Sequence, residues 1–187
     1  MRILAINSRG FGQNNYEKVN MLKQVTIDYE INVVLLSSAD RKWNESRKSS
    51  LKTMFKSINK HVEIIASDSG EETRTNDRYL PGGTVAIYTG KIAGMIIQEQ
   101  TKQDRMGRWM STRIEGGTQK MQIINLYRIP DSIQEGILKS RAQYDHVGGV
   151  VKISKEYRNK MIKELNLEIK KLKDEGIEGI LITGNMN

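Results

Sequence analysis

The hydrophobic positions divide the chain into two parts that differ in spacing. Up to residue 80, short apolar runs alternate with segments in which apolar residues recur every three or four positions, as in strands separated by helices. From Pro81 onward the apolar runs follow one another closely, and residues 115–118 are typical of a hairpin turn between two of them. We predict strands at residues 2–6, 32–36, 62–66, 84–88, 95–98, 109–114, 121–127 and 178–184, and helices at residues 16–27, 51–58 and 157–172.

Two of the predicted strands contain an uninterrupted apolar run, Val33–Leu36 and Ile180–Ile182. Residues 32–36 form a continuous run, which predicts a strand covered on both faces. Residues 178–184 follow the helix-ending Gly176 and lead into Asn185-Met186-Asn187. We expect a buried strand here whose carboxyl end offers polar side chains to a cleft, because open α/β sheets usually bind ligands at that edge.

Composition favours one soluble domain that covers residues 1–187, with 37% hydrophobic residues and a sizeable core. The 30 Lys and Arg against 22 Asp and Glu give a net charge of +8, which favours polyanions such as nucleic acid. The absence of Cys excludes disulfides and Cys-ligated zinc sites, and the presence of only two histidines, His61 and His146, argues against a His-rich metal site. Met1-Arg2 leads directly into a strand and no apolar run could span a bilayer, so we expect an intracellular protein without a membrane partner.

Polar residues follow several predicted strands and are the candidates for a site. Asn7 follows the first strand, and Ser38 and Asp40 follow the second. Tyr127, at the end of the strand predicted at residues 121–127, is a further candidate. The structural alternatives are a turn residue for Asn7, a strand end or helix cap for Ser38 and Asp40, and a half-buried strand aromatic for Tyr127. The residues alone leave these alternatives open.

Six short motifs follow one another along the chain: Asn7, the polar site after Leu36, Pro81-Gly82-Gly83, Gly107-Arg108-Trp109, residues 125–130 and Gly184-Asn185-Met186-Asn187. Their order resembles the exonuclease-endonuclease-phosphatase superfamily, with the closest likeness to the apurinic-type endonuclease domains of non-LTR retrotransposons. This resemblance implies a two-sheet α/β sandwich in which both sheets lend loops to one cleft that hydrolyses phosphodiesters with a divalent metal.

Two departures from the family pattern concern the metal. The resemblance implies a Glu where this chain has Ser38 and an Asp where it has Asn185. Since magnesium is usually held by one or two carboxylates, we expect the Mg²⁺ of the family to be bound poorly here. Asp40 would share a face with Ser38 if the strand continued, and is the candidate to replace the missing acid.

Other family roles are carried over with fewer changes. Asn7, Tyr127 and Asn187 match the polar residues that support the phosphate and the nucleophile, and we group them with Asn185 as catalytic positions. The Asp and His pair that completes catalysis in the family would lie beyond Asn187, and so would further strands. We therefore expect an uncovered sheet edge, which a partner chain or a further C-terminal segment would cover.

Four arginines are candidate contacts to a polyanion, because a guanidinium can bind phosphate as a planar fork. They are Arg9, Arg105, Arg108 and Arg128. For Arg108 the alternative is a structural stack with Trp109.

Three functions are compatible with the sequence. The first is a DNA endonuclease domain impaired at its two metal positions, and the second is a non-catalytic, basic nucleic-acid-binding or assembly subunit. The third is an active phosphatase or nuclease that uses Asp40.

Overall fold

The computed structural model describes residues 1–11, 16–68, 83–104, 107–128, 154–177 and 179–185, and the side chains of the last helix from residue 159 onward. The N-terminal part of the chain forms one four-stranded sheet with strand order β1-β2-β4-β3, in which β1 and β2 are parallel and β4 is antiparallel to both of its neighbours. Its elements are β1 (Ile3–Asn7), α1 (Tyr16–Asp28), β2 (Val33–Ser37), α2 (Glu45–Lys56), β3 (Val62–Ser67) and β4 (Thr84–Thr89).

The second half of the chain forms another four-stranded sheet, with strand order β5-β6-β7-β8. Strands β5, β6 and β7 are antiparallel, and β8 joins β7 in parallel after the crossover through α3. A 3₁₀ helix, Gly90–Met95, connects the two sheets. The other elements are β5 (Ile96–Gln103), β6 (Trp109–Gly116), β7 (Gln119–Tyr127), α3 (Ser154–Asp174) and β8 (Gly179–Asn185).

Alternation along β2 explains how the first sheet is covered on both faces. Val34 and Leu36 pack with α1 and α2 on one face, whereas Val33 and Leu35 face the second sheet on the other. The outer face of the second sheet is covered by α3, through Met161, Leu165 and Leu172. The predicted two-sheet α/β sandwich is confirmed, and so is the double coverage of the 32–36 run.

Tyr88 is one of the polar residues buried between the two sheets. Burial raises the pKa of its phenol, because the charged form is disfavoured away from water. The group is therefore neutral at physiological pH, and the layer between the sheets carries no charge at this position.

The predicted elements are present, but α2, α3 and β5 are longer than predicted, and one 3₁₀ helix is additional. The helix predicted at residues 51–58 begins at Glu45, because the Asn44 side chain accepts a hydrogen bond from the Arg47 amide at 3.0 Å and caps it. Ser38 and Asp40 are therefore not the caps of this helix. The strand predicted at residues 95–98 extends to Gln103 through an irregularity in its pairing, and the 3₁₀ helix was not predicted. Residues 131–153, predicted as loop, lie outside the described residues.

Strand β8 is less buried than its apolar sequence predicts. In the part of the chain that the structure describes, it pairs only with β7 and forms an edge of the second sheet. Its residues are half-buried or exposed, and Ile182 is 42% exposed. The prediction of a buried strand is wrong in this respect, because the run of β-branched residues does not reveal on how many sides a strand is covered. None of the described helices is long and apolar enough to cross a membrane.

Arg108 holds the second sheet and α3 together. Its side chain is 2% exposed; Nε donates to Asp104 Oδ2 at 2.6 Å, and Nη2 donates to Asp104 Oδ1 at 2.9 Å and to the Glu164 carboxylate of α3. This corrects the prediction that Arg108 contacts a polyanion, because the guanidinium is buried between two carboxylates of the protein. The guanidinium forms ion pairs with both carboxylates.

Removing this buried cation should destabilise the fold strongly. Arg108→Met leaves two carboxylates without their partner, so we expect a loss of about 3–5 kcal/mol in the free energy of unfolding measured with urea. Arg2→Gln is a matched control, since it breaks only exposed contacts, the ion pair with Glu30 and a hydrogen bond to the Tyr29 carbonyl, and should cost about 1 kcal/mol or less. Equal losses in the two variants would contradict a structural role for Arg108.

Gly184 allows β8 to approach β7 at its carboxyl end. Its φ is +134°, and a Cβ at this position would lie 1.8 Å from the Leu126 carbonyl oxygen and 2.8 Å from the Leu126 nitrogen. No side chain fits at that distance from a backbone. The glycine of the Gly184-Asn185 motif is therefore required by the parallel pairing that places Asn185.

Alanine at this position should open the end of the sheet. Gly184→Ala combines the steric overlap with an unfavourable backbone conformation, and we expect a loss of about 3 kcal/mol or more in thermal or urea unfolding. Gly94→Ala is the control, because a Cβ there meets open space. A Gly184→Ala protein as stable as the Gly94→Ala protein would show that the close approach is not a constraint.

Candidate active site

Three contacts between the sheets bring one end of each sheet to a common rim. Asn125 Nδ2 of β7 donates to the Leu36 carbonyl of β2 at 3.0 Å. The Gly83 amide, before β4, donates to the Gly107 carbonyl, before β6, at 3.0 Å. Ser67 Oγ at the end of β3 donates to the Asp104 carbonyl after β5, also at 3.0 Å. We use "the rim" for the carboxyl ends of β1, β2, β7 and β8 with the loops that follow them.

Strand register places four of the predicted site residues on this rim. Asn7 lies beside Ser37, directly before Ser38, and Tyr127 lies beside Asn185. Strand β8 also lies against β1 and β2, so the two parallel pairs adjoin. The sequence prediction that these residues belong to one end of the fold agrees with this geometry.

The loops after β1 and β2 run side by side and are held by backbone hydrogen bonds. Ser8, Gly10 and Phe11 donate their amides to the carbonyls of residues 37, 38 and 39 at 2.9, 2.8 and 2.9 Å. From α1, Lys18 Nζ donates to the Ser8 and Gly10 carbonyls at 3.1 and 2.9 Å. Backbone hydrogen bonds and Lys18 of α1 therefore fix the path of these two loops, whatever side chains the loops carry on the rim.

Ser38 and Asp40 meet in a turn and not along a continued strand. Strand β2 ends at Ser37, and both residues adopt positive φ, +56° and +49°. The expectation of a shared strand face is therefore wrong, yet Ser38 Oγ donates to Asp40 Oδ2 at 3.1 Å. Both side chains are buried, with exposed fractions of 3% and 8%. A carboxylate thus lies next to the position where the resembled family has its Glu.

Asn7 and Arg9 form a turn of their own at the end of β1. Asn7 Oδ1 accepts a hydrogen bond from the Arg9 amide at 3.2 Å, and Arg9 has a φ of +45°. This is the turn explanation of Asn7, and it also leaves both side chains exposed on the rim. Turn formation and a role in binding are therefore compatible for Asn7.

On the second sheet, the rim is built by the paired ends of β7 and β8. The Tyr127 amide donates to the Arg108 carbonyl at 2.7 Å, and the Arg128 amide donates to the Asn185 carbonyl at 2.7 Å. Tyr127 is 2% exposed, so its ring is fully buried and not half-buried as its sequence context suggested. Asn185 is half-buried at the edge.

The donors on the rim do not fit a magnesium site of the family type. Within the described residues, no group of three or more His, Cys, Asp or Glu side chains could hold a metal ion. Next to Ser38 the rim offers the Asp40 carboxylate, which already accepts the Ser38 hydroxyl, and otherwise amides and hydroxyls. Neutral oxygens of this kind orient ligands but hold Mg²⁺ weakly. Arg105 and Asn187, also predicted for the site, lie outside the described residues.

No protein-family model matches the chain, and no curated protein does. Among solved structures, the AP endonuclease LMAP from Leishmania major matches with a TM-score of 0.50 at 11% identity, over 76% of this chain and 44% of its own. An endonuclease/exonuclease/phosphatase family protein from Bacteroides thetaiotaomicron matches with a TM-score of 0.50 at 8% identity, over 97% of this chain and 61% of its own. The endonuclease domain of TRAS1, a telomere-specific non-LTR retrotransposon, matches with a TM-score of 0.44 at 11% identity, over 98% and 57%.

The chain spans between 44% and 61% of the length of these three solved structures. At such low identity the likeness concerns the fold alone. The chain has the endonuclease/exonuclease/phosphatase fold, as the order of its motifs indicated.

Proposed function

We propose that this chain is an endonuclease-like domain that binds nucleic acid at the rim, derived from a metal-dependent DNA-nicking enzyme and impaired in catalysis. The proposal is carried by Ser38. At the position of the family's metal-binding Glu, a buried hydroxyl donates to Asp40 and supplies no charge.

The consequence for the metal is electrostatic. Mg²⁺ sheds its water reluctantly and is retained where carboxylates offset the cost. Here Ser38 and Asn185 are neutral, and the carboxylate of the neighbouring Asp40 accepts a hydrogen bond from Ser38. Without a bound cation, neither the attacking water nor the leaving oxygen would be stabilised, which is the main contribution of a metal to phosphodiester hydrolysis.

Affinity for nucleic acid depends on other features, which the chain retains. The net charge of +8 favours association with a phosphate backbone, and Arg9 is exposed next to Asn7. Arg128 follows Tyr127 on the opposite side of the rim. Loss of the metal acids also removes negative charge from the rim, so that impaired catalysis and binding of a polyanion are compatible.

A second candidate, a non-catalytic assembly subunit, is favoured by the β8 edge. Ile182 is 42% exposed on a strand that has an unpaired side among the described residues. Such an edge invites pairing with another strand. We propose that a partner chain or a further C-terminal segment covers it, which does not exclude nucleic acid at the rim.

Restoring the acids should restore metal binding. In Ser38→Glu/Asn185→Asp, the introduced carboxylates repel one another and Asp40 until a divalent ion joins them. We therefore expect Mg²⁺ to raise the Tm of this variant by about 5 °C, which corresponds to ~2 kcal/mol for a chain of this size. The Tm of the unmodified chain should stay unchanged.

Ser38→Gln/Asn185→Asp is the matched control for this experiment. At residue 38 it carries a side chain of the same size with the same positive-φ strain, but without the negative charge of Glu. If Mg²⁺ stabilised the unmodified chain, and Asp40→Asn abolished that effect, Asp40 would be a working metal ligand and the third function, an active enzyme, would replace our proposal.

Nucleic-acid binding should depend on the rim. Arg9→Gln should weaken binding of DNA oligonucleotides of any sequence and reduce the slope of log K against log salt by about 1, as expected for one lost phosphate contact. Arg2→Gln removes an equal charge from the opposite end of β1 and should have a smaller effect. Fluorescence anisotropy measures both, and a chain that does not bind DNA even at low salt would contradict the proposal.

A further inference from the structure

Helix α3 carries a row of lysines on the side that points away from the second sheet. Its apolar side packs on that sheet through Met161, Leu165 and Leu172. The lysines among its described side chains are all exposed; they are Lys160, Lys163, Lys170, Lys171 and Lys173. At a rise of about 1.5 Å per residue, the row extends over about 20 Å. We use "the lysine row" for these five residues.

Two acids of α3 are turned toward the second sheet and away from the lysine row. Lys102 Nζ of β5 donates to Glu168 Oε1 at 2.6 Å, and Arg108 donates to the Glu164 carboxylate. Both acids are half-buried. Their negative charge is therefore offset by cations of the sheet, and not by the lysines of the helix.

A third acid, Glu175, directly follows the helix and is paired in the same manner. Arg113 Nη2 of β6 donates to Glu175 Oε2 at 3.0 Å. This hydrogen bond lowers the pKa of the Glu175 carboxyl, with smaller contributions from nearby cations, so the carboxylate is charged and paired at neutral pH.

The charge of the lysine row is consequently not cancelled within the fold. Apart from the three paired acids, Asp174 is the one acid among the described side chains of this segment, and it faces five lysines. Among the described residues, none of these lysines takes part in an ion pair. The exposed side of α3 is therefore strongly basic and open to a ligand.

We propose that the lysine row binds the phosphate backbone of a double-stranded nucleic acid, as a contact surface separate from the rim. A duplex carries a dense row of phosphates, and each ammonium group that contacts one releases a condensed counterion. A row of about 20 Å corresponds to about six base pairs at a rise of ~3.4 Å. Lysine acts as a point charge on a flexible stem, so this surface contributes affinity without reading sequence.

The lysine row starts at the rim end of the second sheet. Glu164, in the first half of α3, contacts Arg108, whose carbonyl accepts the Tyr127 amide of the rim at 2.7 Å. The helix then runs antiparallel to β7 and β8, since it connects two parallel strands, and Glu175 reaches Arg113 further from the rim. The two surfaces adjoin at one end of α3. The inference goes beyond the proposed function, but rests on it for the identity of the polyanion.

The exposed side of α3 lacks the chemistry of a helix that lies on a membrane. Such a helix buries an apolar face in the lipid interface. The apolar side of α3 is already covered by the second sheet, and Leu167, 69% exposed, is the one exposed large apolar side chain among its described residues. A nucleic acid needs only cations within reach of its phosphates, so it fits this surface better.

The binding test measures fluorescence anisotropy of a labelled duplex of about 25 base pairs over a range of salt concentrations. Lys163 and Lys170 lie about two helical turns apart on one line of α3. Lys163→Gln/Lys170→Gln should weaken binding about tenfold at low salt and reduce the slope of log K against log salt by about 2, as expected for two lost phosphate contacts. The helix should keep its stability, because Gln and Lys have similar helix propensities.

Two control variants show whether position and charge decide the result. Lys56→Gln/Lys60→Gln removes two exposed lysines at the end of α2 and after it, and should have a much smaller effect. Lys163→Arg/Lys170→Arg keeps the charge and should bind like the unmodified chain. Equal losses in the two glutamine variants, or a loss in the arginine variant as large as in Lys163→Gln/Lys170→Gln, would overturn the inference.

An anionic membrane is tested by sedimentation with vesicles of phosphatidylcholine and phosphatidylserine. We expect the unmodified chain and Lys163→Gln/Lys170→Gln to sediment with these vesicles to the same small extent. If the substitutions abolished binding to vesicles and left binding to the duplex unchanged, the lysine row would be a lipid surface and the inference would be wrong.

Comparison with Arg9→Gln separates this inference from the proposed function. A loss of duplex binding in Arg9→Gln, with none in Lys163→Gln/Lys170→Gln, would leave binding at the rim standing and overturn the inference. The reverse result would leave the lysine row as the nucleic-acid surface and remove the rim. An unmodified chain that binds no duplex at low salt would overturn both.

Discussion

The alignment of the two sheets by the buried amide of Asn125 is the constraint on which the rest of the structure depends. The side chain is 1% exposed, and its Nδ2 reaches across the layer between the sheets to the Leu36 carbonyl and, at 3.3 Å, to the Val85 carbonyl. An unpaired buried N–H of Asn125 would cost free energy, so these hydrogen bonds favour one position of the two sheets relative to each other. The strand ends of both sheets then arrive at the same rim, and Gly83–Gly107 and Ser67–Asp104 repeat the alignment at two other places.

A rim fixed in this way keeps its shape when its side chains change. The loops after β1 and β2 are held through backbone amides and carbonyls and by Lys18, none of which depends on an acid at residue 38 or 185. Under the proposed function, Ser38 and Asn185 in place of metal-binding acids change the charge of the rim more than its geometry, and make the rim more favourable for a phosphate group.

Much of the fold could be predicted from the sequence, because the spacing of apolar residues within one segment is enough to identify a strand or a helix. Continuous apolar runs gave the strands of the first sheet, and the four-residue spacing from Met161 to Ile169 gave α3. Other features depend on the tertiary structure and could not be predicted. The exposure of β8 depends on how many strands lie beside it, and the burial of Arg108 depends on Glu164, which lies 56 residues further along the chain. Asp40 was predicted near Ser38 for the wrong reason, since left-handed turn residues and not strand alternation bring the two together.

Under the proposed function, the rim keeps the geometry of a nuclease but lacks the negative charge that would hold a metal ion. Titration of the ¹⁵N-labelled chain with Mn²⁺ tests this most directly, because a bound paramagnetic ion broadens the amide signals around it. We expect the signals of Asn7, Ser38 and Asn185 to broaden no more than those of other exposed amides. Saturable broadening confined to these residues at submillimolar Mn²⁺ would contradict the account.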